Sequence, residues 1–509
     1  MQWLNTIVDE LLEKHPKGEI VVSSGVSPSG KYHVGTLREV LTAEAILREV
    51  QRRGRQAKHL HIADDLDVFR KVPVGIPEDY SQYLGQPLCD LPAPEGEGSY
   101  ADYYLNDLIA ASKDLKLEVE IVRAHEEYRK GFFTSAVEQA IDKIDDVKAI
   151  LEEVSGHQVG DSWAPAQVLD DGFLKNRKIT GINKDAKTVS YINAEGETKT
   201  ADYSKGEVKL NWRIDWPARW SLLTVMAEPY GRDHAAKGGS YDTGKVLVDK
   251  IYGGTAPIGV PYEFINRTGE TKKMSKSAGD TVTASGLLEI LPAELVWFFI
   301  VRYAPNKQLF FDTGDTLVKL FDEFSALLAK EDKTPADEQL IAICTQGIDS
   351  QTVSRVPFSL LVASYQAALK DKERTLEIIS RTEYQQAAEE DAEIIVEELK
   401  FIDAWLEKHA PEDVKFALTD SVQAGDFTDT EQQFLRGLAD KVAEAPEDAD
   451  GQWFHLAIYE FKESLGMQPK DMFTTLYKAL IGKTSGPRAG WFLSILPRDW
   501  LIKRLRLEA

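Results

Sequence analysis

Residues 19–52 constrain the fold most. Glu19-Ile20-Val21-Val22-Ser23-Ser24 is an apolar run of strand length, Gly25 to Gly30 is a Gly/Ser/Pro loop, and Val34, Leu37, Val40, Leu41, Ala45, Ile46 and Val50 then recur at helical spacing. Strand, glycine-rich loop and helix in that order open a nucleotide-binding α/β unit. Ala57 to Ala63 reads as the next strand and ends in Asp64, Asp65 and Asp67, while 105–115 reads as a helix and 117–122 as a further strand. This alternation predicts a parallel sheet whose ligand site lies at the strands' carboxyl ends.

A chain of 509 residues, 43% hydrophobic and 28% charged, exceeds what one core holds and is too apolar for intrinsic disorder. Its two cysteines, Cys89 and Cys344, exclude a disulfide framework and a four-thiolate zinc site, and no metal ligands are assigned. The opening helix, with Trp3, Leu4, Ile7, Val8, Leu11 and Leu12 on one stripe, carries too many charges for a signal peptide. No run approaches the ~18–20 apolar residues of a membrane span, so no membrane partner and a cytoplasmic location are expected.

From 156 to 206 the texture turns to short, turn-rich pieces such as Asn183-Lys184-Asp185, which predict small antiparallel strands inserted in the sheet domain. Residues 262–266 read as another strand, and beyond about 315 the pattern is almost wholly helical. The expected domains are 1–155, the first half of a Rossmann-type catalytic domain; 156–210, a small β-rich insert without zinc ligands; 211–315, the second half; and 316–509, an all-α C-terminal region.

Two loops carry chemistry. In Ser27-Pro28-Ser29-Gly30-Lys31-Tyr32-His33-Val34-Gly35-Thr36, Gly30 and Gly35 let backbone approach a ligand closely. His33 sits where a helix begins, beside free N–H groups that suit a phosphate. A tight turn with a capping histidine explains that segment equally well. The second loop, 272–280, is basic, and its residues Lys273 to Ser277 spell KMSKS. One specified pentapeptide arises by chance in this length on the order of once in six thousand chains.

HVGT followed by KMSKS resembles the signature pair of class I aminoacyl-tRNA synthetases, and the chain is similar in particular to class I lysyl-tRNA synthetases. Shared segments include 24–30, 64–73, 212–220, 228–234, 238–244, 302–307 and the C-terminal 477–488. The resemblance implies ATP with Mg²⁺, L-lysine and tRNA(Lys) as reactants, and a C-terminal anticodon-binding region. Carried over, His33, Lys273 and Lys276 are catalytic, and Ser29, Gly30, His33, Gly35, Thr36, Gly238, Gly239, Met274, Ser275 and Ser277 bind ATP. Gly25, Ser27, Asp64, Asp65, Asp215, Trp220, Asp233, His234 and Tyr262 meet the amino acid, with Trp220 walling the side-chain pocket. A monomer is expected. Two departures stand out: relatives often carry a cysteine-ligated zinc module in the insert, and many have serine at position 276 and lysine at 278, where this chain has Lys276 and Ala278.

A glutamate-activating relative needs a cation on the first strand, yet Ile20 to Gly30 holds none. Asp64, Asp65, Asp67, Asp215, Glu228 and Asp233 instead predict a carboxylate-lined pocket, which suits an ammonium. A class I ligase for another amino acid or amine, and a non-catalytic tRNA-binding paralogue, remain as alternatives. The net charge of -23 argues against a nucleic-acid partner only when undivided. Residues 331–450 hold 11 Lys+Arg and 28 Asp+Glu, a net of -17, whereas 451–509 hold 9 and 5, a net of +4. That basic tail carries aromatics, and Arg488, Trp491 and Arg504 are its candidate tRNA contacts.

Overall fold

The computed structural model describes residues 1–509 except 157, 161–162, 270–282, 413, 420, 447–448 and 509. Its core is a five-stranded parallel sheet of β1 (Ile20–Val26), β2 (Ala57–Ala63), β3 (Val119–Arg123), β10 (Ala227–Gly231) and β11 (Ile258–Tyr262). The strand order is β11-β10-β1-β2-β3, so the chain reverses direction across the sheet between β1 and β10. Such a switch point opens a crevice at the strands' carboxyl ends. The Rossmann-type sheet expected from the alternating pattern is present.

The helix Val34–Arg52 follows β1 and is buried nearly all round. That burial explains why even Arg38, Glu39, Glu44, Arg48 and Glu49 on it are shielded from solvent. Arg48 satisfies its guanidinium on the carbonyls of Ile343 and Lys116 and lies 3.8 Å from the Trp297 ring.

Among the described residues the insert holds six short strands: β4 (Ala166–Asp170), β5 (Phe173–Lys175), β6 (Lys178–Asn183), β7 (Thr188–Ile192), β8 (Thr198–Asp202) and β9 (Val208–Leu210). They form two three-stranded antiparallel sheets, β5-β4-β9 and β6-β7-β8. Val168, Leu174, Val189, Tyr191, Val208 and Leu210 share one apolar core with Tyr128, Phe133 and Val137 of the preceding helices. Burial of that kind, at roughly 1.5–3 kcal/mol per large apolar side chain, supplies the cohesion of these strands.

The strand expected over 262–266 is divided. Tyr262 ends β11, Glu263 and Phe264 lie between, and Ile265–Arg267 forms β12, paired in parallel with β13 (Leu309–Phe311). By packing, the chain forms two compact units. Met1–Leu288, Val296–Phe311 and Thr334–Ile348 make the first; Glu289–Leu295, Asp312–Lys333 and Asp349–Ala509 make the second, which is helical. Among the described residues no helix is long and apolar enough to cross a membrane.

Candidate active site

At the carboxyl ends of β1, β2, β10 and β11 lies a cavity of about 710 Å³. Gly25, Ser27, Ser29, His33, Gly35 and Thr36 line it, all from the glycine-rich loop and its flanks. His33 caps the Val34–Arg52 helix: its Nδ1 accepts from the Gly35 N–H at 3.0 Å. That bond leaves the proton of a neutral ring on Nε2. A Cβ on Gly35 would come within 2.8 Å of the His33 ring, so only glycine permits this cap. The capping reading of His33 is thus the one the structure shows. Gly30 is not among the lining residues.

Lys273, Met274, Ser275, Lys276 and Ser277 lie outside the described residues. The chain that emerges from that segment is nonetheless fixed beside the first loop. Thr283 pairs with His33 in an antiparallel bridge, and the Ala284 N–H donates to the Tyr32 carbonyl at 3.0 Å.

Six carboxylates line the cavity, those of Glu39, Asp64, Asp67, Asp215, Glu228 and Asp233, against three cations, Arg70, Lys71 and Arg219. They are not equivalent. Arg219 bridges Asp64, at 3.0 Å, and Asp215, and buried Lys209 from β9 reaches Asp64 at 3.3 Å and Asp215 at 3.9 Å. Burial raises the Asp64 carboxyl, but Arg219 and Lys209 outweigh it and hold the group below the usual carboxylate range. Burial likewise depresses Lys209, and Asp64 and Asp215 reverse this and keep its ammonium charged. Asp67 accepts from Ser27 at 3.1 Å and pairs with Arg70 at 2.8 Å.

Glu39 and Glu228 meet neutral donors. Glu39 accepts from the Gly25 N–H at 2.8 Å and from the Tyr262 hydroxyl at 2.7 Å. Burial, then Glu39 itself, pushes the Tyr262 phenol well above its ordinary range, so it stays a donor. Glu228 accepts from the Trp220 indole N–H. Sequence reading missed Glu39, whose signal is a charged residue on an otherwise buried helix, and Lys209, which looks like an ordinary surface lysine in a short strand.

Several expected residues fall elsewhere. Asp65 is fully buried, pairs with Arg123 at 2.5 Å and His125 at 2.7 Å, and does not line the cavity. Trp220 is 1% exposed and packs behind the wall, against Trp216 and Gly244; Trp216 and Trp212 line the cavity in its place. Gly238 and Gly239 are also outside the lining. At Gly238, with φ +72°, a Cβ would meet the Val154 carbonyl at 2.5 Å, and at Gly239 the Ala236 carbonyl at 2.6 Å, so both glycines serve a tight turn. Asp64, Asp215, Asp233, His234 and Tyr262 do line the cavity.

Residues 1–344 match the family described as "tRNA synthetases class I (K)", and 363–508 match "Anticodon binding domain". The chain belongs to the class I (K) tRNA synthetases. It is 36% identical to "Lysine--tRNA ligase 1" of Methanosarcina acetivorans, over 99% of this chain and 98% of that protein. It is 34% identical to the "Lysine--tRNA ligase" of Archaeoglobus fulgidus over 99% of each, and 32% identical to that of Pyrococcus horikoshii over 100% of each.

The helical unit of this class I (K) synthetase has a cavity of its own, of about 1380 Å³. Arg488 and Trp491 line it together with Arg381, Lys470, Phe473 and Tyr477. Arg504 does not. Its side chain is 1% exposed, and its guanidinium donates to the Thr419 hydroxyl at 2.8 Å and to the Thr419 carbonyl. It ties a loop to the last helix, so it is removed from the candidate tRNA contacts.

Proposed function

We propose that this synthetase activates L-lysine with MgATP to lysyl-adenylate and passes the lysyl group to the terminal adenosine of tRNA(Lys). The carrying observation is full-length similarity to lysine--tRNA ligases combined with a cavity whose carboxylates outnumber its cations. Lysine brings two ammonium groups and one carboxylate. In the first step a lysine carboxylate oxygen attacks the α-phosphorus and pyrophosphate leaves; in the second a ribose hydroxyl attacks the acyl carbon and AMP leaves.

Within this reading His33, at the helix N-terminus, supports the phosphates, and Lys273 and Lys276 neutralise charge developing on the α-phosphate and pyrophosphate. Gly25 and Ser27 face the amino acid. Glu39, held by Gly25 and Tyr262, offers an ammonium a preorganised carboxylate. Mg²⁺ enters as part of the nucleotide substrate; among the described residues no His/Cys/Asp/Glu group is arranged to hold a metal. The helical unit takes the anticodon through Arg488 and Trp491. The enzyme acts in the cytoplasm as a monomer, which sedimentation at micromolar concentration tests.

Pyrophosphate exchange with each of the twenty amino acids, with and without tRNA, decides the reading. Lysine-dependent exchange is expected; exchange dependent on glutamate, or on no amino acid, overturns it. Lys276→Ala should lower the rate of adenylate formation by roughly 10²–10³-fold with lysine affinity little changed. An unchanged rate removes Lys276 from its role.

A further inference from the structure

Glu228 lies on β10, between β11 and β1, and its side chain is buried at the cavity wall. Its neighbours are aromatic. Trp216 and Trp220 stand 4.9 Å apart, Tyr230 stacks on Tyr241 at 4.6 Å, and the Trp220 indole donates to the Glu228 carboxylate. Among the described residues no arginine, lysine or histidine forms an ion pair with it. Asp64 and Asp215 on the same wall are, by contrast, already ion-paired with Arg219 and Lys209. An isolated carboxylate in an aromatic wall is unfavourable unless a cation arrives. The bound amino acid, on the lysine reading, brings two ammonium groups, and the Glu39 site accounts for one.

We propose that Glu228 is a specificity-determining residue of this cavity, its carboxylate pairing with the second ammonium of the bound amino acid. This rests on the lysine reading and deepens it. The cavity then admits a dication-bearing amino acid through two separate carboxylates, Glu39 beneath the glycine-rich loop and Glu228 in the tryptophan wall. A neutral side chain of the same length would fill the space and leave one of them without its partner.

Burial pushes the Glu228 carboxyl up to about 7, against the opposing pull of the Trp216 and Trp220 N–H groups and of Arg219. An incoming ammonium favours the ionised form, so binding near neutral pH expels a proton. The groups facing Glu228 are Arg219 and Asp215 from the Trp212–Leu222 helix, Asp64 beyond β2, Tyr230 on its own strand and Tyr241 from the Ser240–Lys250 helix. His234 lies past Trp216, 5.7 Å ring to ring.

Calorimetry of L-lysine binding to the full-length enzyme, in buffers of different ionisation enthalpy, tests this. The wild type should release a proton on binding at about pH 6.5, and its affinity should rise between about pH 6 and pH 8. Glu228→Gln keeps the shape and an acceptor for Trp220. It should bind lysine at least tenfold more weakly at about pH 8, lose that part of the pH dependence, and retain ATP binding. Norleucine lacks the side-chain ammonium and ε-aminocaproate lacks the α-amino group. Whichever analogue binds equally to wild type and variant identifies the ammonium that Glu228 serves. Lysine binding unchanged by Glu228→Gln, or wild-type binding without proton release, overturns the assignment alone. Should the variant fail to fold, the wild-type proton release decides. A wild type that binds ATP but no lysine overturns this assignment together with the lysine reading.

Discussion

The cavity at the strand ends sets six carboxylates against three cations, whereas the larger cavity among the C-terminal helices sets Arg381, Lys470, Arg488 and Arg498 against Glu383 and Asp450. The two also hold their charges differently. Around the first, Lys209, Arg219, Asp64 and Asp215 are buried and cross-paired, so their positions are fixed before any ligand enters. Around the second, Arg381, Lys470 and Arg488 are exposed beside Phe473, Tyr477 and Trp491. The first arrangement suits one small cation in one orientation, and the second suits a flexible polyanion whose bases stack. A chain-wide net charge of -23 describes neither.

The comparison breaks most severely at Arg219. Arg219→Ala leaves Asp64 and Asp215 sharing Lys209, and should cost about 3–5 kcal/mol in denaturant unfolding, the range for opening a buried pair from one side. Next comes a pH effect in the helical unit. Burial raises the Glu398 carboxyl to about 8, and Ser354 donates to it at 2.8 Å. The folded state thus holds this proton above the pH at which the unfolded chain releases it. Stability from this group is full below about 4.5, falls as pH rises, and the loss is complete above about 8. Glu398→Gln should flatten that slope, by an amount of order a few kcal/mol.

Glu398 also sharpens the contrast with Glu228. Both are buried and raised, but Glu398 is 0% exposed and is not among the residues lining the helical cavity, so a raised carboxyl by itself does not mark a ligand site. In that cavity, Trp491→Ala should weaken tRNA binding by about 1–3 kcal/mol, read by filter binding. Arg488→Ala should have the smallest effect, reducing the slope of log affinity against log salt by roughly one. Arg504→Lys should leave that slope unchanged while lowering thermal stability, because its bonds go to Thr419.

The parallel sheet was legible because its strands are unbroken apolar runs between turn signals, and Ala57–Ala63 has the bounds the pattern predicts. The loop residues Gly25, Ser27, Ser29, His33, Gly35 and Thr36 reach one cavity because a single strand-to-helix turn carries them. What sequence could not show is pairing across the fold. Asp64 and Asp65 are adjacent, yet one faces Arg219 and Lys209 and the other Arg123 and His125, since neighbouring residues after a strand point opposite ways. Trp216 and Trp220 differ by one helical turn, which is enough to put one at the cavity and the other behind it. Glu39 and Lys209 were invisible for the same reason: their roles are set by partners 223 and 145 positions away, at Tyr262 and Asp64.

Lys209 has a consequence for anyone exchanging modules in this enzyme. It sits in the middle of the insert's last strand, between Val208 and Leu210, and supplies charge to the wall of the catalytic cavity. A graft within residues 171–205 must keep the apolar contacts of Leu174, Val189 and Tyr191 with the preceding helices, and one that replaces β9 must also return a lysine at its central position. Without it, a swap judged only by whether the new module folds would hand the active site two aspartates with a single arginine between them.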